Sequence, residues 1–359
     1  MHIPDGYLSP STCAVLYVGA GVGWYGALRR IKRTLTARMV PLISVFAAFS
    51  FVLMMFNLPL PGGTTGHALG VTIAAVVIGP AGAILSISIA IAIQALFFGD
   101  GGITTLGANC FNMAIVGSLV AYVTYRGIAS GAAISSRRRI VAAAIAGYLA
   151  TNVAAFIAAV EFGIQPILFH DARGVPLYAP YTLGVAIPAM MIRHLAVAGI
   201  AEGAITAGLV AYLQVADPML LQSTSGLEPG TSADKNASRH GLRKLWLTVA
   251  LLLLLTPLGV LAAGEAWGEW GASDFSRAEG RGRITASSLN QPAPAQAPSG
   301  LQRLSTLWTA PIPAYAPRFV KSPSVGYLLS GMFGIGLLAS ISLALQSYLQ
   351  RRRSTGQAT

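Results

Sequence analysis

The sequence predicts an all-α membrane protein whose helices cross the bilayer several times. Of its 359 residues, 54% are hydrophobic and only 10% are charged, whereas about 25% of the residues in a soluble domain are charged. The chain also holds 40 glycines, many of them inside the apolar runs, as expected where transmembrane helices pack backbone to backbone. No soluble core requires this much apolar sequence, so the chain is expected to be embedded in a bilayer.

The positive charge is arranged in the way that membrane topology predicts. The formal net charge is +12, but the basic residues form short clusters between apolar runs, which is typical of cytoplasmic loops. A nucleic-acid partner is not indicated, because no basic face carries interleaved aromatic residues. The clusters are Arg29, Arg30, Lys32, Arg33 and Arg38; Arg137, Arg138 and Arg139; Arg239, Arg243 and Lys244; and Arg351, Arg352 and Arg353.

Nine apolar runs are predicted to cross the membrane. Placing every basic cluster in the cytoplasm requires an even number of crossings between Arg38 and Arg137. That condition is met only if 68–98 forms two spans, joined by a turn at Gly79-Pro80. The N-terminus then lies outside and the C-terminus is cytoplasmic. The predicted spans are 11–28, 40–57, 68–80, 82–98, 109–125, 140–160, 183–213, 242–263 and 325–349.

Composition divides the chain into three parts. Residues 1–213 form a seven-span domain, and the polar, Ser/Gly/Pro-rich stretch 214–241 is expected to be a cytoplasmic linker. Residues 242–359 form a two-span extension. Its outer loop, 264–324, is expected to be partly disordered or extended because of its Pro/Ala-rich run.

The first two residues predict a metal chelate. A free amine on Met1, the deprotonated amide of His2 and the His2 imidazole together close two adjoining chelate rings. This planar nitrogen set suits Ni(II), Cu(II) or low-spin Co(II), and one in-plane position remains. Met1 is expected to be retained because the large His2 side chain hinders its removal. The alternative is an ordinary frayed terminus, the default for most chains.

His67 lies in the segment GGTTGHALG, on the same predicted side of the membrane as Met1. Glycines at 62, 63 and 66 allow a loop to wrap closely around a small ligand. As a ligand His67 must be neutral, so metal binding is expected to weaken as the pH falls through about 6.5. The alternative is a flexible loop with an interfacial histidine.

Four motifs together resemble the CbiM/NikM family, the substrate-specific membrane components of energy-coupling-factor nickel and cobalt transporters. They are MHIPDGYLSP at 1–10, PGGTTGHALG at 61–70, FGDGGITTLGANCFNMA at 98–114 and GIAEGAITAGLVAYL at 199–213. The resemblance implies a seven-helix bundle and a metal held by Met1, His2 and His67. It implies Co²⁺ or Ni²⁺ as the transported substrate and no cofactor. The extension is similar in layout to the accessory CbiN/NikN component.

Further polar residues are candidates for supporting the site or for coupling. The candidates are Asp5, Thr65, Asp100, Asn109, His194 and Glu202. Charged or titratable groups within an apolar span usually face the protein interior, and a purely structural hydrogen bond is the alternative for His194 and Glu202. Asn109 is also a candidate cap for the next helix. His170 and Asp171 are interpreted as solvated loop residues.

The sequence contains no GxxxxGK[ST] phosphate loop and no HExxH helix, so the chain is not expected to be an enzyme. The family resemblance implies a CbiQ-like transmembrane coupling subunit and CbiO-like ATPase subunits in a bacterial cell (inner) membrane. A self-contained secondary cation transporter is the alternative, although no repeated pair of broken helices is visible. Cys13 and Cys110 are expected to be buried and unpaired.

Overall fold

The computed structural model describes residues 1–34, 39–61, 63–224, 235–262 and 265–356. Across these ranges the chain is mostly helical, and five helical runs are long and apolar enough to cross a membrane. This confirms the predicted all-α, multi-spanning membrane protein. The five runs are Val71–Phe98, Leu106–Ala129, Arg137–Leu168, Leu183–Ala216 and Pro323–Ala344.

Further helices accompany these five. α1 covers Pro10–Thr34 and α2 covers Met39–Met54, and a shorter apolar helical stretch lies at Leu245–Leu261. On α1, Val15 and Val18 are about 70% exposed, as expected of side chains that face lipid. The total number of crossings stays a prediction.

The end of the bundle at which α1 begins is called the site end below, and the opposite end the far end.

The run Val71–Phe98 consists of α3, Val71–Ile93, and a π-helical turn, Gln94–Phe98. It is broken at Gly79, where φ is 72° and ψ is 171°. Glycine adopts such a positive φ readily, whereas other residues are strained there. A straight helix of these 28 residues would be about 42 Å long.

The two ends of this run nevertheless lie close together. The ring of His67, just before the run, is 5.0 Å from the ring of His2, measured between centroids. A carboxylate oxygen of Asp100, just after the run, is 3.0 Å from Nδ1 of His2. The chain must therefore turn back at Gly79, which is where the sequence predicts a turn.

The two halves of the run differ in length. Residues 71–78 are long enough for only about 12 Å of helix, while residues 80–98 measure about 28 Å. The second half returns along α1, where Trp24 Nε1 donates to Ser88 Oγ at 2.9 Å. A bilayer's hydrocarbon core is about 30 Å thick, so the first half begins within the bundle. It is shorter than the predicted span 68–80 because the preceding segment folds inward.

That preceding segment is a small hairpin. β1, Leu58–Leu60, pairs antiparallel with β2, Thr64–Gly66, and residues 64–78 are buried without interruption. The sequence predicted an outer loop here. Non-helical backbone at membrane depth is tolerated only where protein surrounds it, and this burial meets that condition.

The remaining helices complete the bundle, and two of them contain π-helical turns, which often mark functional regions. α4 is Leu106–Asn109, continued by the π-helical Cys110–Val116 into α5, Gly117–Ala129; α6 is Arg137–Leu168; α7, Leu183–Arg193, continues through the π-helical His194–Ala198 into α8, Gly199–Ala216. Cys13 and Cys110 are buried and free, as predicted.

The C-terminal extension packs on this bundle through its own helices. α9, Lys235–Leu255, and α13, Pro323–Gly356, both contact α2. Gly334 lies so close to the Phe51 ring that a Cβ atom there would clash with it. The described residues do not include part of the predicted linker, residues 225–234, nor Arg38 and Gly62. The domain boundaries stay predictions.

The outer loop of the extension is folded around short helices over its described part, residues 265–324, rather than disordered, and its Pro/Ala-rich run has no helix or strand over 291–298, in line with the alternative of an extended chain. Aromatic side chains account for the difference: Trp267 and Trp270 pack edge to face, with ring centroids 5.5 Å apart, and both are buried. The short helices are α10, Ala272–Ser276; α11, Ala278–Ser287; and α12, Ser299–Leu304; 3₁₀ turns lie at Pro218–Thr224, Thr256–Leu261 and Pro313–Tyr315.

Candidate metal centre

The N-terminal segment lies inside the protein rather than fraying into solvent. Met1, His2 and Ile3 are 3%, 1% and 0% exposed. A chain terminus is normally poorly ordered unless other groups hold it. The default interpretation of a frayed terminus therefore does not describe this chain.

Asn109 holds the segment by its backbone. The amide N–H of Ile3 donates to Asn109 Oδ1 at 2.8 Å, and Asn109 Nδ2 donates back to the Ile3 carbonyl at 3.1 Å. The same carbonyl accepts hydrogen bonds from the Thr105 hydroxyl and, at 3.0 Å, from the Gly102 amide. The interpretation of Asn109 as a helix cap is wrong: it ends α4, and its side chain fixes the residue that follows His2.

Asp5 anchors the segment a little further along. Its carboxylate accepts hydrogen bonds from the backbone amides of Ile103, at 3.1 Å, and Thr104, at 2.7 Å, and from the Thr104 hydroxyl. Asp5 and Asn109 together fix the direction in which residues 1 and 2 project. Both side chains act through the backbone: Asn109 holds Ile3, and Asp5 holds the loop at Ile103 and Thr104.

The two histidines predicted to bind metal lie together. The rings of His2 and His67 are tilted by 31°, with centroids 5.0 Å apart. Both nitrogens of the His2 ring and Nε2 of His67 are buried without an aligned hydrogen-bond partner. A buried polar atom without a partner is rare because its desolvation is not compensated. A metal ion bound by these nitrogens would supply that compensation.

The local bonding of His67 selects the nitrogen that faces the site. Nδ1 lies 3.2 Å from the carbonyl oxygen of Ala68, and since that oxygen can only accept, Nδ1 carries the proton. Nε2 of the neutral ring is then left with a free lone pair. Burial, followed by the nearby terminal amine, holds the pKa of His67 well below its usual value of 6.5. Loss of the neutral ring therefore begins below the pH expected from the sequence.

Asp100 stands beside His2. Its Oδ1 is 3.0 Å from His2 Nδ1, although the two atoms are not aligned as a hydrogen bond. Burial alone would raise the pKa of Asp100, but the facing His2 outweighs it and holds the pKa below the usual value. Asp100 is therefore a negative charge next to the nitrogen that would close the chelate.

The extension supplies two further carboxyl groups near the site. Glu269 Oε1 lies 3.4 Å from the terminal amine of Met1, and burial raises the pKa of Glu269. Burial, with Asp274 and Glu269 nearby, raises the pKa of Glu265 to about 7. Both glutamates line a cavity of about 410 Å³ that His67 and Asp100 also line.

Glu202 lies beneath the site and serves the backbone. Its carboxyl group accepts hydrogen bonds from the amides of Leu69 at 2.7 Å, Gly70 at 3.0 Å and Thr72 at 3.5 Å. These are among the N–H groups that the start of α3 leaves without helical partners. Glu202 therefore holds the buried start of α3, and with it the segment that carries His67.

The other sequence candidates lie around this centre. Thr65 lines the cavity, and its amide donates to the Glu265 carbonyl at 3.2 Å. His194 is buried, and its Nδ1 lies 2.8 Å from the Met190 carbonyl within its own helix. His170 is exposed in its loop, with Nδ1 3.1 Å from the Asp171 carbonyl.

The arrangement brings four nitrogen donors into one place: the Met1 amine, the His2 amide, the His2 ring and Nε2 of His67. Within the described ranges, no group of three His, Cys, Asp or Glu side chains surrounds one metal position. The chelate predicted from the first two residues would add backbone nitrogen to the two imidazoles. Nitrogen ligands in a plane suit nickel and cobalt better than magnesium or calcium.

Sequence reasoning missed the residues of the extension that reach the site, above all Glu269 and Tyr315. The hydroxyl of Tyr315 donates to Asp100 Oδ2 at 2.6 Å. The one available signal was the segment AWGEWG, in which Glu269 stands between two tryptophans in a chain with only 12 acidic residues. Nothing in the sequence placed that segment next to Met1.

Comparison with known proteins finds metal transport proteins similar to this chain. The sequence model of a family described as CbiM, cobalt uptake substrate-specific transmembrane region, matches residues 2–220. A similar protein is the fused nickel transport protein NikMN of Rhodobacter capsulatus, which is 51% identical over 98% of this chain and 99% of its own length. Another is the probable fused nickel transport protein LarMN of Lactiplantibacillus plantarum, which is 37% identical over 99% of this chain and 100% of its own.

A solved structure is similar as well. The crystal structure of a truncated transition metal transporter matches this chain with a TM-score of 0.56 and 49% sequence identity. The match covers 59% of this chain and 98% of the other. The two fused nickel transport proteins, in contrast, are matched along almost their whole length, including the part that corresponds to the extension.

Proposed function

This chain belongs to the CbiM/NikM family of metal transport proteins, with a fused NikN-like extension, and from that premise we propose that it is the metal-binding membrane subunit of an energy-coupling-factor importer for nickel or cobalt ions. It is a transport protein and not an enzyme. The metal is its substrate, held during transport and then released.

One observation carries the proposal for the site. The imidazoles of His2 and His67 lie together in a buried position beside the terminal amine, and both ring nitrogens of His2 and Nε2 of His67 have no aligned partner. The amine, the amide and the ring of the first two residues form three corners of a plane, and His67 Nε2 completes the fourth. The first half of α3 holds the segment that carries His67, and Asn109 holds the residue that follows His2.

Energy for transport is proposed to come from other subunits. The sequence has no phosphate-binding loop, and a metal buried this deeply requires a conformational change before release. A CbiQ-like transmembrane subunit and CbiO-like ATPases are the proposed partners, as the family resemblance implies. The site end of the bundle is proposed to face outside, so that the metal enters from there.

The chelate can be tested by blocking the terminal amine. A variant with one additional residue before Met1, acetylated at its own amine, has no free amine to start a chelate at either position, so we expect it to lose high-affinity Ni²⁺ binding in isothermal titration of the purified full chain. Its thermal unfolding should change little, because the change removes no span. His170→Ala is the matched control, since that histidine is exposed in a separate loop. Wild-type affinity in the extended variant would refute the chelate.

A further inference from the structure

The C-terminal extension contacts the terminal amine directly. Glu269 Oε1 lies 3.4 Å from the Met1 nitrogen, with the amine almost fully buried and the glutamate 23% exposed. In the sequence, Glu269 stands between two buried aromatic residues, Trp267 and Trp270. Trp267 is itself fixed, because its Nε1 donates to Ser288 Oγ at 3.1 Å. The carboxylate is therefore presented to the amine by a rigid part of the extension.

The extension also contacts the other side of the site, through Asp100. The Tyr315 hydroxyl donates to Asp100 Oδ2 at 2.6 Å, and the other oxygen of that carboxylate lies 3.0 Å from His2 Nδ1. Tyr315 in turn accepts a hydrogen bond from Gln94 Nε2 at 3.1 Å and stacks on Phe98 with ring centroids 4.6 Å apart.

The backbone around Tyr315 is unusual. Ala314 and Tyr315 both adopt positive φ, 51° and 58°, in the left-handed region that residues other than glycine seldom occupy. Such strained residues persist only where their surroundings over-determine them, and they cluster at functional sites. Here the hydrogen bonds and ring contacts of Tyr315 provide those surroundings.

We propose that Glu269 and Tyr315 are positioning residues for metal binding: the extension uses them to hold the Met1 amine and Asp100 in the geometry that the chelate requires. The inference rests on the proposed function, since it assigns a role at the same metal centre. In the proposed chelate the Met1 amine is free, with no peptide bond to orient it, so it needs a partner outside the segment. Glu269 is that partner, and an amine bound to metal still has N–H groups to donate to it.

Charge supports the same assignment. A divalent cation bound with one deprotonated amide leaves a net positive charge in a buried place, and an uncompensated buried charge is strongly unfavourable. Glu269 and Asp100 stand on two sides of the chelating atoms and offset that charge. Tyr315 keeps the Asp100 carboxylate turned toward His2 rather than toward the cavity.

The experiment uses the purified full chain and Ni²⁺. Glu269→Gln keeps the shape of the side chain and removes its charge, while Tyr315→Phe removes only the hydroxyl group. We expect each to weaken Ni²⁺ binding in isothermal titration by about tenfold to a hundredfold, as is usual when a residue that orients a metal ligand is changed. We also expect the visible absorption of bound Ni²⁺ to shift, because the planar nitrogen set is distorted.

Two controls separate positioning from the general stability of the extension. Glu279→Gln removes a carboxylate that is 86% exposed and pairs with Arg283 at 3.5 Å, on the surface of the extension. Tyr181→Phe removes a hydroxyl that joins the core to the extension, at 3.4 Å from the Gln291 carbonyl, away from Asp100. Both controls should bind Ni²⁺ with wild-type affinity and spectrum.

The outcomes distinguish the two proposals. If the variant with a residue added before Met1 binds normally, the chelate itself is refuted. If that variant loses binding while Glu269→Gln and Tyr315→Phe keep wild-type affinity and spectrum, only the positioning role is refuted. An equal loss in the two controls would also refute it, since the effect would then belong to the fold of the extension.

Discussion

The imidazole of His67 stays neutral at lower pH than an exposed histidine would. Burial and the nearby terminal amine hold its pKa well below 6.5, so protons do not compete with metal at Nε2 as the pH falls through that value. Over this range the pH dependence of binding comes from the other ligand nitrogens, those of Met1 and His2, which must be free of protons to bind the metal. His67 contributes affinity there without contributing pH dependence.

This difference gives a prediction for His67→Ala. We expect Ni²⁺ affinity to fall by more than about a hundredfold, because a ligand is lost rather than a residue that orients one. Between about pH 7.5 and about pH 6, however, the slope of log Kd against pH should be the same in the variant and the wild type. Isothermal titration in a series of buffers measures both quantities. A wild-type slope that becomes steeper than the variant's near pH 6.5 would show that His67 titrates there after all.

At this scale the sequence predicted the ligands but not the residues that hold them. Met1, His2 and His67 stand in short motifs that carry the family resemblance, so each could be named from its neighbours. Glu269 and Tyr315 could not, because each acts on a residue more than 200 positions away. Contacts of that kind depend on how the extension packs, which no local pattern records.

The first half of α3, residues 71–78, is the element on which the site is built. It begins inside the bundle, and Glu202 accepts hydrogen bonds from the N–H group of Thr72 in its first turn and from those of Leu69 and Gly70 just before it. The Gly79 turn was predictable, since Gly79-Pro80 is a strong chain break. The inward hairpin before α3 was not, because a Gly/Thr-rich segment between apolar runs has the composition of an ordinary loop.

Glu202→Gln tests whether this element supports the site. The amide nitrogen of glutamine cannot accept a hydrogen bond, so at least one N–H at the start of α3 loses its partner. We expect unfolding to become easier by about 1–3 kcal/mol and Ni²⁺ affinity to fall as the His67 segment shifts. Thermal unfolding in detergent and isothermal titration measure the two effects.

Glu161→Gln is the matched control for that experiment. Glu161 is a buried carboxyl group in the neighbouring α6 and accepts a hydrogen bond from Asn112 Nδ2 at 2.7 Å, away from the start of α3. Glutamine keeps an oxygen that can accept this hydrogen bond, so the variant should lose little stability and no metal affinity. Equal affinity losses in the two variants would mean that any buried carboxyl group in the bundle matters to the site.

Under the proposed function, transport requires the coupling and ATPase subunits as well, because this chain supplies a binding site and no energy source. Cells that express the chain alone should accumulate far less nickel or cobalt than cells that also express ATPase and coupling subunits. Radioactive metal uptake measures the difference, with the His67→Ala chain plus the same subunits as control. Robust uptake by the chain alone that collapses with the proton gradient would favour a secondary transporter.

For the molecule as a whole, composition and the basic clusters were enough to predict a helical membrane protein, and the motifs were enough to predict its family. The folded state of the outer loop was not predicted. Pro/Ala-rich sequence usually indicates extended or disordered chain, and here the buried aromatic residues around Trp267 outweigh that tendency.

Covalent fusion changes what the contacts of the extension must achieve. Because α9 and α13 belong to the same polypeptide as the bundle, Glu269 and Tyr315 meet their partners at a high effective concentration, which depends on the length of the tether. Each contact can then be weak and reversible, and need not supply the affinity that joins two separate proteins. A tethered extension of that kind can separate from the metal site and return to it many times without diffusing away in the bilayer.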